Sequence, residues 1–511
     1  MPRRRLRSRL PLVLSVGLLT LAAPAVVLSA QNGPPASNPS SPSMAFTHVT
    51  VLTMAGGAAL KDQTVVVHGN RIRALGPSST VTAPRGSRVV VGRGKFLIPG
   101  LWDMHGHLPD DKASRQIDLP LYVANGVTGV RNMWGDCEGI CAGRDKDGLA
   151  PPAEVIRGLK RDIAAGILVG PRIVTAGNAL DGPQPVFPGS VAIRDTVDAK
   201  AAVVRAREQG ADFIKVIGAV PAPAYFVLMR TARDLGLPVT GHVPREVGVL
   251  TVSDSGQRSI EHLQFGETQC SAKPDSLAAI RAERGRVTSA TRRASLNREL
   301  RHLGVATFDE KACQPYFARL VRNGTWQVPT LTVKRAMGSV NDPRFQADSL
   351  MHYATSALRA SWDPRNDPQL NTFTAEDLVS LRDDYVSSLL IVGAMARAGV
   401  PLLAGSDVNS SHVFPGFGLH DELALLVEAG LSPEAALAAA TVSAARYLGA
   451  TDSLGTIAVG KLADMVLLDG DPLADIRNTR RIRAVVLNGR LVDRTDLTHL
   501  LAGARTAAGA Q

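Results

Sequence analysis

Cysteine is scarce: the 511-residue chain has four. Cys137 and Cys141 share one short loop, Cys270 and Cys313 flank a long helical stretch, and no second pair stands at zinc-site spacing, which argues against a cysteine-ligated metal. Charge is modest as well. Asp, Glu, Lys and Arg make up 20% of the residues and apolar types 45%, which excludes both a disordered chain and a collagen-like fibre. The formal net charge of +11 includes Arg3, Arg4, Arg5, Arg7 and Arg9, with no acidic residue before position 31, so the remainder carries +6. That excess is spread without a dense basic tract, and no nucleic-acid partner is expected.

Those arginines precede an apolar run from Leu10 to Leu28 that ends in Ser29-Ala30, the layout of a secretory signal peptide over residues 1–30. The rival reading is a retained anchor, since the run is about long enough to span a bilayer. Pro24 and the Ala/Ser-rich end favour cleavage, no cysteine follows for lipid attachment, and Arg3-Arg4-Arg5-Leu6 matches a twin-arginine signal poorly. The expectation is an exported protein, periplasmic or secreted, with no membrane contact after cleavage. Residues 31–43, rich in Pro, Ser, Asn and Gly, read as a flexible leader. Export suggests disulfides. Pairing within each couple, Cys137 with Cys141 and Cys270 with Cys313, is expected, although four cysteines allow three connectivities.

Short β-branched runs at Thr47–Leu52, Thr64–His68, Arg71–Leu75 and Arg88–Val91, with a Gly69-Asn70 turn, predict a small β unit. Similar runs at Gly455–Ile457, Ala463–Leu468, Ile482–Leu487 and Gly489–Val492 predict a second, and the economical arrangement is one β domain built from both chain ends (44–96 and 450–495). Residues 496–511 read as a frayed tail. Between them lie eight candidate strands, opening with Phe96–His107 and closing with Val400–Asp407, separated by helical stretches such as Thr196–Gly210 and Pro223–Leu235. Over 97–449 this predicts an α/β fold, a (β/α)8 TIM-like barrel whose site lies at the carboxyl ends of its strands. Gln269–Gln314, charged and helical, could rim its mouth.

Polar residues end or interrupt these apolar strands in order: His105 and His107 after the first, Lys215 in the fourth, His242 after the fifth, His262 after the sixth, Asp407 after the eighth. Alone, each has a structural explanation, as a buried ion pair, a satisfied core histidine or a turn residue. Together, at the same end of a barrel, they form a metal-ligand set of imidazoles and carboxylate.

The motifs Ile98-Pro99-Gly100-Leu101-Trp102-Asp103-Met104-His105-Gly106-His107, Thr240-Gly241-His242-Val243-Pro244, Ser259-Ile260-Glu261-His262, Ala404-Gly405-Ser406-Asp407 and Gly460-Lys461-Leu462-Ala463-Asp464 resemble those of the amidohydrolase superfamily. The similarity is to the branch of imidazolonepropionases and binuclear zinc Xaa-Pro and Xaa-Arg dipeptidases, and to ochratoxin-hydrolysing amidases. It extends to the split β domain, read as sandwich-like. The resemblance implies that His105, His107 and Asp407 hold one metal, His242 and His262 a second, and a carboxylated Lys215 bridges them. Two divalent ions, zinc by default, would share a bridging hydroxide, and Asp407 would act as general acid/base. Tyr225, Arg131 and His420 are candidate substrate residues, each with a structural alternative: aromatic packing, an ion pair and a cap, respectively. Relatives often carry an aromatic residue near Ile217, which this chain lacks.

The expected activity is cleavage of a small peptide-like amide, of dipeptidase or prolidase type, with a C-terminal carboxylate on the substrate. Hydrolysis of another amide or lactone, such as an N-acyl amino acid or an ochratoxin-like aryl amide, is the alternative within the fold. A non-catalytic barrel is disfavoured because all six ligand positions are filled. The resemblance also allows a homo-oligomer.

Overall fold

The computed structural model describes residues 43–108, 111–133, 152–185, 190–264, 266–340, 342–363, 365–366, 373–408 and 410–510. The expected signal peptide and the Cys137–Cys141 pairing lie outside the described residues. Among the described residues no helix is long and apolar enough to cross a membrane.

The first strands in the chain are β1 (Met44–Val51), β2 (Leu60–His68), β3 (Arg71–Pro77), β4 (Arg88–Val91) and β5 (Phe96–Pro99). The middle strands are β6 (Leu101–Gly106), β7 (Val127–Asn132), β8 (Arg172–Thr175), β9 (Leu180–Asp181), β10 (Val191–Ala192), β11 (Ile214–Val216), β12 (Val239–Gly241), β13 (Ser259–Glu261) and β14 (Trp326–Val328). The last are β15 (Met465–Leu468), β16 (Ile482–Leu487) and β17 (Arg490–Val492). The helices that bear on the site are α1 (Ala222–Asp234), α2 (Pro274–Arg286), α3 (Ala290–Ala306), α4 (Leu331–Gly338), α5 (Ala375–Arg397), α6 (Phe417–Glu428) and α7 (Arg494–Gly509).

Both chain ends feed one mixed sheet of order β17-β16-β15-β5-β1-β2-β3, with β4 on β1. Its inner face buries Phe46, Val49, Val65, Leu97, Met465 and Val486. The middle strands pair in parallel as β6-β7-β8 and as β10-β9-β11-β12-β13-β14. Backbone bonds link these two sheets. Asp212 N–H donates to Thr175 O at the end of β8, Gln327 N–H donates to Pro401 O, and Met104 N–H donates to Ala404 O, at 2.8, 2.9 and 2.9 Å. The expected eighth strand, Val400–Asp407, is thus a connecting segment with one bridge, Gln327 to Leu402.

The opening apolar run, expected as a single strand, is divided between the two systems: β5 pairs with β15 in the mixed sheet and β6 with β7 in a parallel one. Gly100 marks the change. A Cβ there would sit 2.1 Å from Thr128 Oγ1, so only glycine lets the chain cross from sheet to sheet so close to its neighbour.

Two expectations at the C-terminal end are corrected. Gly455–Ile457 is a loop, with Ile457 buried against the mixed sheet and its N–H bonded to Thr53 O at 3.0 Å. The tail is not frayed: α7 starts at a capping box formed by Asp493 and Asp496 and buries Leu497, Ala504 and Ala508. A capping box satisfies N-terminal amides reciprocally, and the buried face anchors the helix. The expected Cys270–Cys313 disulfide is present, with both residues buried. It fastens the α2–α3 hairpin at its base.

Candidate active site

His105 is the penultimate residue of β6, with 1% of its surface exposed, and His107 follows just past the strand end. Donor atoms of His105, His107 and Asp407 all lie within 4.8 Å of one another. His107 Nε2 is 2.8 Å from Asp407 Oδ1, and His105 Nε2 is 3.4 Å from the same oxygen. Ring contacts continue the cluster: His105 to His262 at 4.8 Å between centroids, and His262 to His242 at 5.0 Å. Lys215, 3% exposed on β11, lies in register with Thr240 of β12, one residue from Gly241. A Cβ on Gly241 would meet Val216 O at 2.3 Å and Lys215 Cδ at 2.9 Å, so the Thr-Gly-His triplet leaves room for the lysine side chain.

Several of these residues hold backbone conformations that non-glycine residues seldom adopt. His262, Thr330 and Asp407 have φ of 61°, 49° and 56°. Such strain costs on the order of 1–3 kcal/mol per residue and persists where surrounding structure overrides it, commonly at functional sites.

A buried polar network orients the imidazoles. Glu261 Oε2 is 2.8 Å from His105 Nδ1, so the carboxylate accepts a hydrogen bond from Nδ1–H and leaves the Nε2 lone pair toward Asp407. Thr330 Oγ1 donates to Pro329 O at 2.8 Å and is therefore the acceptor for His262 Nδ1–H, also at 2.8 Å. Asp103 ties β6 to the Asp407 segment by accepting from His105 N–H at 3.1 Å and Ser406 N–H at 3.0 Å.

The electrostatics suit a cation. Burial holds His105, His242 and His262 well below the usual histidine range, with the charge of Lys215 adding to the effect, so all three are neutral donors at neutral pH. For Asp407, burial alone would raise the carboxyl, but the charge His105 carries in acid, the hydrogen bond from His107 and the charge of His262 more than offset it, so the group is already ionised where the imidazoles are neutral. Burial brings Lys215 down to about 8 against the pull of Glu261 and Asp407, so about a tenth of its amine is uncharged at neutrality, far more than for a free lysine. Neutral imidazoles, a carboxylate and an amine short of full protonation fit a divalent-metal site.

The three candidate substrate residues face elsewhere. Arg131 is fully buried: its Nη2 donates to both oxygens of Glu261 at 3.1 and 3.0 Å, Nη1 to Ser259 Oγ and Tyr447 OH, and Nε to Met104 O. These bonds make it the ion pair that the sequence offers as its structural alternative. Tyr225, buried on α1, donates to Gln257 Oε1 at 3.1 Å. His420, buried on α6, bridges Thr479 Oγ1 at 2.9 Å and Asn125 O at 3.0 Å. Glu261 is the functional neighbour that the strand pattern did not single out, although it stands next to His262 in the quoted motif.

A cavity of about 480 Å³ opens beside this cluster, with His242 and His262 in its wall. The Amidohydrolase family profile matches residues 96–492. The chain belongs to the amidohydrolase family. Among individual proteins it is similar to the imidazolonepropionase of Pseudomonas putida (strain GB-1), 31% identical over 170 residues, or 29% of this chain and 41% of that one. The matched stretch thus spans less than half of that relative. Two solved structures share the fold: a bottromycin amidohydrolase (TM-score 0.67, 23% identity, 91% of each chain) and a candidate prolidase from Bifidobacterium longum (TM-score 0.63, 22% identity, 91% of this chain and 99% of that one).

Proposed function

We propose that this amidohydrolase cleaves the amide bond of a small peptide-like substrate, in the manner of a dipeptidase or prolidase, on a binuclear metal site. The observation that carries the reading is the convergence of His105, His107 and Asp407 within 4.8 Å, continued through His262 and His242. His105, His107 and Asp407 would hold one divalent ion and His242 and His262 a second, with zinc suited to the donor set. Lys215 would bridge them after its uncharged amine adds carbon dioxide and releases a proton, which turns a repelling cation into an oxygen ligand. When bound, such ions supply an activated water at neutral pH and polarise a carbonyl.

The chain's own residues do the rest. Glu261, held by Arg131, fixes the His105 tautomer. Asp407, ionised between His105, His107 and His262, takes the proton of the attacking water on its carboxylate and returns it to the leaving nitrogen. The cavity beside His262 receives the substrate. The linked parallel sheets form a (β/α)8 barrel in this reading, and the mixed sheet forms the satellite domain. Export fits as well, because the buried Cys270–Cys313 disulfide suits an oxidising compartment.

A dipeptide and N-acyl amino acid library screened with zinc-loaded protein tests the proposal. Hydrolysis confined to one class of C-terminal residue supports it, and no turnover of any amide contradicts it.

A further inference from the structure

Four basic side chains line this cavity together with the carboxylates of Asp181, Glu267 and Asp384. They are Arg281 and Arg284 of α2, Arg245 in the loop after β12, and Lys334 of α4. Two of these cations are already neutralised: Lys334 Nζ lies 2.9 Å from Asp384 Oδ2, and Arg281 pairs with Glu267 while donating to Thr268 Oγ1 at 3.0 Å. Arg245 and Arg284 have no carboxylate partner among the described residues. They come from separate elements, a loop and an inserted helix, yet line the same cavity as His242 and His262.

Unpaired cations on a concave wall focus positive potential into the cavity. The guanidinium fork matches a carboxylate with two parallel hydrogen bonds, each stronger than a neutral one. We propose that Arg245 and Arg284 form an anion-binding subsite that holds a carboxylate of the substrate, borne on the part away from the scissile amide. The inference deepens the hydrolase reading and rests on it for the word substrate. Loss of water around Arg284, then repulsion from Arg245, Arg281, Arg293 and Arg301, lowers its affinity for its proton, and a bound anion would relieve that repulsion. The carboxylate has two sources, the α-carboxylate of a C-terminal residue or an acidic side chain.

Calorimetric titration of glutarate into metal-loaded protein, with glutaramide as its uncharged match, tests the subsite without requiring turnover. Wild type should bind glutarate, and Arg245→Gln/Arg284→Gln should bind it at least about tenfold more weakly, about the loss of one charge-assisted bond. Neither arginine has a carboxylate partner to lose among the described residues, so the double variant should melt as wild type does. Equal glutarate binding by the two proteins, or equal binding of glutarate and glutaramide by wild type, overturns the proposal. In turnover, kcat/KM for Ala-Glu, Ala-Gln and Ala-Gln amide separates the sources. A fall from Ala-Glu to Ala-Gln assigns the side chain, and a fall from Ala-Gln to its amide assigns the α-carboxylate. Glutarate binding that depends on both arginines, together with no hydrolysis of any amide, would sustain the subsite and defeat the hydrolase reading.

Discussion

Replacing Arg131 by methionine keeps the aliphatic stem and removes every donor. Glu261, itself fully buried, would then lose both of its bonds to Arg131 Nη2, at 3.0 and 3.1 Å, while Tyr447 OH and Met104 O would lose partners at 2.8 and 2.5 Å. Removing one member of a buried pair leaves an uncompensated charge and costs about 3–5 kcal/mol. Because Glu261 orients His105, metal affinity should fall as well, by about 10–100-fold. Urea unfolding of chelated protein reads the first effect, where no bound metal complicates the two-state treatment. Competition for zinc against a coloured chelator reads the second. A variant within about 1 kcal/mol of wild type, with unchanged metal affinity and only KM raised, would refute the structural role and return Arg131 to the substrate.

Asp407→Asn should lower kcat by about 10²–10⁴-fold, the usual worth of a positioned acid/base, with the fold kept by circular dichroism. Acid should destabilise the protein partly through His420. Its imidazole protonates at about 3 in the folded chain because it is buried, against 6.5 when free, so between these values the unfolded chain holds more protons. Stability from this group is complete above pH 6.5 and is lost as pH falls toward 3, and His420→Gln should flatten that part of the profile. Opening the Cys270–Cys313 disulfide, which closes 43 residues, should cost about 4 kcal/mol on the loop-entropy estimate. Thermal melts of Cys270→Ser/Cys313→Ser check it, and an unchanged Tm would refute the stabilising role.

The grouping of His105, His107 and Asp407, continued by ring contacts to His262 and His242, has a trace in the sequence because each residue follows an apolar run, although the run before Asp407 is a connecting segment rather than a strand. Glu261 was not singled out, since a carboxylate inside Ser259-Ile260-Glu261 carries no sign of the buried arginine that neutralises it. Arg131 is that arginine, and its position at a strand end is compatible with either role until Glu261 is found opposite. The break at Gly100 escaped notice because Phe96–Gly106 stays apolar across it, and only the nearness of Thr128 marks the change of sheet. Helix α7 did leave a trace, Asp493 and Asp496 at capping-box spacing, which the alanine-rich end obscured. The pair of cations in the cavity depends on bringing Arg245 and Arg284 to one cavity, residues of separate elements that no local pattern connects.

The central claim is that six residues act as one hydrolytic metal centre. Metal content of purified, chelator-free protein, measured beside the same preparation of His105→Ala, tests it most directly. Expected are about two equivalents of divalent metal in wild type, a marked fall in the variant, and loss of amide hydrolysis in parallel with the metal. Less than about one equivalent in wild type, with His105→Ala altering neither metal content nor activity, would contradict it.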